Sequence, residues 1–126
     1  MASSPQLPAD ISTEPIEKIY FNSPFIRKQT CCMRLTNMGD TRLAWLFKST
    51  NTSRFKPNPT HGILEDGSSA IIDLTCNPFE KPESNTQDHF TIEWTEVPKG
   101  ETTYKTSWFL GSGVLRRKVI PVEYNL

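Results

Sequence analysis

The chain has 126 residues, the size of a single domain that is long enough to bury a hydrophobic core. Its 14 lysines and arginines balance its 14 aspartates and glutamates, so the formal net charge at pH 7 is zero. This balance argues against nucleic acid as a partner, because binding that relies on counterion release needs an excess of positive charge.

The first residues, "MASSPQLPADIS" at 1–12, are polar and contain prolines, and we expect them to be loosely ordered. They lack the basic start and the apolar stretch of a secretory signal sequence. No window of the chain approaches the roughly 20 apolar residues that a membrane span needs. These features predict a cytoplasmic protein without integral membrane association.

Apolar and polar residues alternate with a period of two along the chain, and this pattern predicts half-buried strands of an antiparallel sheet. The clearest example is "HFTIEWTE" at 89–96, whose apolar residues point to the core and whose polar residues, Glu93 among them, point to solvent. Turn sequences such as "NMGD", "EDGS" and "VPKGE" separate the strands. In chain order the predicted strands lie within 16–22, 30–37, 42–49, 69–76, 89–96, 103–110 and 114–124. We therefore predict one all-β domain over residues 1–126, a sandwich or barrel.

The last strand carries three consecutive cations, Arg116, Arg117 and Lys118. Its inward positions change from cationic to apolar, which predicts a bulge or register change near Lys118 to Ile120. With zero net charge and no other basic cluster beside it, this triplet is a poor phosphate site. We interpret it as part of a protein-contact surface that blunts a strand edge or meets an acidic surface.

No constellation of residues in the sequence predicts catalysis. His61 and His89 are isolated from potential metal ligands, and the three cysteines lack the spacing of a zinc site. Neither a nucleophile elbow nor a phosphate-binding loop occurs. We predict a protein that is not an enzyme and that has no catalytic residues, metal site or cofactor.

Four stretches carry a resemblance to the major sperm protein (MSP) family of nematodes, and they occur in the order found in that family. They are "PADISTEP…KIYFNSPF" at 8–25, "FKSTNTSRFKPNPTHGIL" at 47–64, "HFTIEWTEVPKG" at 89–100 and "WFLGSGVLRRKVIPVEYNL" at 108–126. The last two are long and specific, and the resemblance runs essentially from end to end. It implies the MSP domain, a seven-stranded immunoglobulin-like antiparallel β-sandwich.

The resemblance also implies a non-enzymatic role in the cytoskeleton that drives amoeboid sperm motility. Family members form symmetric dimers and then filaments without binding nucleotide. The expected partners are copies of the chain itself, as a possible homodimer, and other MSP-family or sperm cytoskeletal proteins in the cytoskeleton or pseudopod. Because "KPNPTHG" at 56–62 departs from the filament-forming type, a divergent sperm-specific paralogue or an accessory protein fits as well as a filament subunit.

Two alternative functions follow from the same family. Some members are released as signals to the oocyte and its sheath cells. More distantly, Lys48, Ser49 and Thr50 resemble the "K-T-T" segment of the MSP-like domains of VAMP-associated proteins, which bind acidic phenylalanine-containing peptides. With Arg54 and Lys56 they form a candidate cationic groove, unless these cations merely belong to a solvated loop. The candidate residues for protein or peptide contact are Lys48, Ser49, Thr50, Arg54, Lys56, Arg116, Arg117 and Lys118.

Overall fold

A computed structural model describes residues 7–80, 87–110 and 113–126. These residues form nine β-strands and a single turn of 3₁₀ helix, Thr106–Phe109. No helix within the three ranges is long and apolar enough to cross a membrane. The strands are β1 (Ile11–Glu14), β2 (Ile19–Asn22), β3 (Gln29–Asn37), β4 (Leu43–Ser49), β5 (Phe55–Asn58), β6 (His61–Leu64), β7 (Ser69–Cys76), β8 (His89–Glu96) and β9 (Arg116–Asn125).

The strands form two sheets, and the hydrophobic core lies between them. One sheet has the order β1-β3-β7-β5 and the other has the order β2-β9-β8-β4-β6. In most strands the buried residues alternate with residues in contact with solvent, as expected for a sheet with one face on the core. The prediction of an all-β immunoglobulin-like sandwich is confirmed.

Aromatic side chains fill much of the space between the sheets. Phe55 of the four-stranded sheet meets Phe90 of the five-stranded sheet edge-on, with ring centroids 5.2 Å apart. Burial of each large apolar side chain of this kind stabilises the fold by about 1.5–3 kcal/mol. Trp45 is also buried, and it lies against Gly62, where an added Cβ would come within 3.1 Å of the indole ring. Glycine at this position therefore lets β6 pair with β4 while the tryptophan remains inside.

The strand count differs from the prediction, because nine strands occur where seven were expected. The additional strands β1, β5 and β6 have four residues each, which leaves too few inward positions for alternation to be recognised. One pair is parallel, since β2 runs alongside the end of β9 in the same direction. The strand predicted within 103–110 is wrong, because the 3₁₀ turn occupies this segment and Trp108 and Phe109 pack near Tyr104.

Regular structure begins closer to the N-terminus than predicted. Ile11 and Ser12 were expected to lie in a loose region, but they pair with β3, and Ile11 is buried. The indole N–H of Trp94 donates to the carbonyl of Ala9 at 2.9 Å, which ties the residues before β1 to the other sheet. Residues 1–6 of the predicted loose segment lie outside the described residues.

Candidate functional site

Strand β9 pairs with β8 in one continuous antiparallel register. The bulge predicted near Lys118 to Ile120 is therefore wrong. Arg116 and Lys118 lie on the same face as the buried Ile120, whereas Arg117 lies on the opposite face. The two inward cations are tolerated because they are only partly buried and find polar partners on the N-terminal segment.

Those partners connect β9 to the region of β1. The guanidinium of Arg116 lies 3.4 Å from the carboxylate of Asp10 and donates a hydrogen bond to the carbonyl of Pro8 at 3.1 Å. The ammonium of Lys118 donates to the hydroxyl of Thr13 at 2.7 Å. The two cations thus line a groove between the two sheets, on the side where β1 and β9 lie opposite each other.

On the outer face of the five-stranded sheet, one carboxylate joins cations from two separate motifs. Glu93 lies 2.8 Å from the ammonium of Lys48 and 2.9 Å from the guanidinium of Arg117. The hydrogen bond from Lys48, supported by Arg117 and opposed by burial, lowers the pKa of Glu93. The prediction that Glu93 points to solvent is wrong, since its side chain is only 6% exposed. The structure therefore brings Lys48 and Arg117 together, because both pair with the buried carboxylate of Glu93.

Arg54 lies mostly inside the protein, in a cluster of polar and aromatic side chains. Its guanidinium is 3.5 Å from the carboxylate of Asp88, donates to the hydroxyl of Tyr124 at 2.9 Å and stacks over the ring of Phe79 at 3.7 Å. The hydroxyl of Tyr124 in turn donates to Asp88. Burial, followed by the bond to Asp88, raises the pKa of Tyr124, so the phenol remains neutral. Arg54 thus holds the fold together at one end of the sandwich.

The other residues of the candidate cationic groove also lie apart from one another. The hydroxyl of Thr50 donates to Asp88 at 2.9 Å and so belongs to the cluster around Arg54. Lys56, on β5, donates to the carbonyl of Thr52 in the preceding turn at 2.8 Å. Ser49 ends β4 in the ladder with β8. The structure therefore does not bring Lys48, Thr50, Arg54 and Lys56 together in a single cationic groove.

The outer edge of β2 is a candidate contact site that the sequence did not predict. Ser23 N–H donates to the carbonyl of Asn125 on β9, so the backbone groups of Phe21 and Ser23 face β9 and those of Tyr20 and Asn22 face away from it. The side chain of Gln29 caps Asn22, donating to its carbonyl at 2.7 Å and accepting from its N–H at 3.0 Å. Tyr20 is left as the open position of this edge.

The surface around this open position combines exposed apolar side chains with the carboxylates of Glu14 and Glu17. The side chains of Ile16 and Tyr20 are 67% and 50% exposed. The neighbouring Lys18 is neutralised by Glu123 of β9, with the charged atoms 3.2 Å apart. Exposed large apolar side chains next to an unpaired strand edge are typical of protein-contact surfaces.

The described parts of the chain contain no group of three or more histidine, cysteine, aspartate or glutamate side chains that could hold a metal ion. The three cysteines are free. Burial raises the pKa of Cys31 and of Cys76 to about 11, and a hydrogen bond to Asp73 raises the pKa of Cys32. All three are therefore protonated at neutral pH, which makes them poor nucleophiles.

Comparison with known proteins places these features in a family. A family model described as the MSP (Major sperm protein) domain matches residues 10–109. Major sperm protein isoform alpha of Ascaris suum is 39% identical over 94% of this chain and 95% of its own length. Major sperm protein 10/36/56/76 of Caenorhabditis elegans is 35% identical over 94% of each chain. Among solved structures, the C. elegans MSP family member WR4 has a TM-score of 0.71 at 22% identity, covering 90% of this chain and 96% of its own.

Replacement of Arg54 by alanine tests whether this residue is structural. The change leaves the buried carboxylate of Asp88 without its cation, and we expect the free energy of unfolding to fall by about 3 kcal/mol in urea titrations. Lys56→Ala is the control, with a change below about 0.5 kcal/mol, because Lys56 is exposed. Equal stability of Arg54→Ala and the wild type would contradict the structural role.

The pKa of Glu93 predicts a pH-dependent contribution to stability. Its folded pKa lies below the unfolded value of about 4.3, so the carboxylate stabilises the fold above that value and loses this effect as pH falls through the folded pKa. At neutral pH we expect Glu93→Gln to be less stable than the wild type by about 1 kcal/mol, a deficit that disappears in acid. Urea titrations of both proteins over a pH series measure this, and a deficit independent of pH would refute the assignment.

Proposed function

This chain belongs to the major sperm protein domain family, and we propose that it acts without catalysis, by binding other protein chains in the cytoskeleton that drives amoeboid motility of nematode sperm. Its site of action is the cytoplasm of the sperm cell, at the cytoskeleton or pseudopod. Its partners are further copies of itself and other members of the family. The similarity to major sperm proteins of two nematodes supports the cellular setting, and the open edge of β2 supports the mode of binding.

The observation that carries the proposal is the open position at Tyr20. An unpaired strand edge is a template for another strand, and pairing of two identical edges about a two-fold axis gives a closed dimer. If the axis passes next to Tyr20, this residue pairs with the same residue of a second copy and exchanges two main-chain hydrogen bonds with it. The cap on Asn22 limits the ladder to this short stretch.

The apolar groups of this edge are compatible with self-pairing. Lys18 is already paired with Glu123, whereas the carboxylates of Glu14 and Glu17 line the same surface and oppose the approach of a second copy at low salt. Ile16 lies just before β2 and supplies exposed apolar surface that a second copy can cover. A short ladder with a small apolar patch predicts weak, reversible association, which suits an assembly that must form and dissolve.

Replacement of Tyr20 by charged residues tests self-association. Because the two Tyr20 residues lie opposite each other in the proposed dimer, Tyr20→Lys and Tyr20→Glu each place like charges in contact and should weaken dimerisation by about tenfold or more. An equal mixture of the two variants should restore association through opposite charges. Sedimentation velocity over a concentration series measures all three samples and the wild type.

The control for this test is Ile26→Lys, which changes an exposed apolar residue in the loop after β2 and should leave association unchanged. A wild-type protein that stays monomeric at high concentration would overturn the proposal. The same conclusion follows if the mixture of Lys and Glu variants associates no better than either variant alone.

Localisation tests the cellular part of the proposal. Leu126 is 87% exposed, so a short tag at this end will not disturb the core. We expect the tagged protein, imaged in fixed crawling nematode sperm, to lie in the pseudopod together with the filaments of the major sperm proteins. Untagged sperm provide the control, and exclusion of the tag from the pseudopod would refute this part of the proposal.

A further inference from the structure

A second open edge lies in the groove between the two sheets. Strand β2 covers β9 only from Val122 to Asn125, so the first half of β9 has no neighbour on that side in the described structure. Strand β1 is likewise an edge strand, paired only with β3. The two edges enclose a groove of about 460 Å³, with Trp94 among its lining residues.

The backbone groups that face this groove follow from the pairing of β9. Val122 N–H donates to the carbonyl of Asp88 beside β8, so residues of even number along β9 direct their backbone groups to β8. Arg117 and Val119 therefore direct their N–H and C=O groups to the open side. Within the ranges that the structure covers, these groups have no backbone partner. Pro121 has no N–H, and the open stretch ends there.

The groove is lined by the cations of Arg116 and Lys118 and by the carboxylates of Asp10 and Glu14. Lys118 contacts the hydroxyl of Thr13, and no carboxylate forms an ion pair with it among the residues described. Arg116 shares its charge with Asp10. On the outer face, Arg117 is held by Glu93. The ammonium of Lys118 is thus the cation that remains available on the groove side.

Self-pairing does not suit this edge. Within β9, Arg117 and Val119 offer the open backbone groups, so a two-fold pair that uses all of them sets Arg117 of each copy opposite Val119 of the other. The same register sets the two Lys118 side chains directly opposite each other, and like charges in that position destabilise a ladder. The edge therefore suits a strand of different sequence, whose residues opposite Lys118 and Arg116 are acidic.

From this geometry we infer that the groove binds an extended segment of a partner protein in which acidic residues alternate with others. The segment adds to β9 as a strand, through hydrogen bonds to Arg117 and Val119. Its acidic side chains at two alternate positions enter the groove and pair with Lys118 and Arg116. This site is separate from the edge at Tyr20, so it binds a partner of different chemistry whether or not the chain also associates with itself.

A direct test uses a short, end-capped peptide that alternates threonine and glutamate, titrated into the isotope-labelled full chain. We expect the largest changes of amide chemical shift at Arg117 and Val119, and affinity that falls as salt is added. A peptide that alternates threonine and lysine, and a peptide of the same composition with its glutamates adjacent, serve as matched controls and should bind about tenfold more weakly or not at all.

Two variants separate the main-chain and charge contributions. Val119→Pro removes one groove-facing N–H and leaves the ladder with β8 intact, and the strand already contains proline at the equivalent position 121. Lys118→Glu should reverse the preference, so that the threonine–lysine peptide binds better than the threonine–glutamate peptide. Lys99→Gln, in an exposed turn, is the control that should bind like the wild type.

The inference is overturned if the acidic peptide does not bind, if its shifts cluster around Lys48 instead of β9, or if Lys118→Glu leaves the preference unchanged. Because Lys118→Glu alters one partly exposed side chain, it keeps the test decisive even if Val119→Pro fails to fold. Repeating the titration with Tyr20→Lys separates this site from self-association, since peptide binding should be the same in that variant.

Discussion

Side chains of a strand alternate between two faces, so the register in which β9 pairs with β8 decides where every charge of the last strand lies. In the observed register Arg117 lies beside Glu93 on the outer face, while Arg116 and Lys118 lie above the core at the groove. A shift of one residue would bring Arg117 to the inner face and move Ile120 out of the core. The same pairing that closes the core therefore also places one cation beside Glu93 and the other two in the groove between the sheets.

The alternation of apolar and polar residues was sufficient to locate the long strands, since each buries one face against the opposite sheet. It was insufficient where pairing depends on distant segments. Ile11 and Thr13 show only two inward positions, and the reason they form a strand is the edge that β3 offers them. The reverse happened at 103–110, where a strand-like pattern became a 3₁₀ turn because Trp108 and Phe109 pack around Tyr104 instead of pairing.

Charged residues were the least predictable part of the candidate site, because their location depends on partners that local sequence does not reveal. The sequence predicts Arg54 as a groove cation, but Asp88, the residue before β8, is buried and pairs with it inside the protein. Glu93 stands at an outward position, yet its side chain is buried and pairs with two cations. Lys48 and Arg117 came from separate motifs, and only the sheet order β9-β8-β4 places them around one carboxylate.

The amide of Gln29 has a consequence for the behaviour of the chain at high concentration. By donating to and accepting from Asn22, it occupies the positions that an added strand would use. The edge of β2 is therefore closed at Asn22, which shortens the ladder that an added strand can form there. A protein without net charge has little electrostatic repulsion to keep it in solution. A single side-chain amide thus occupies backbone groups of β2 that would otherwise be open to another chain, where charge repulsion offers little protection.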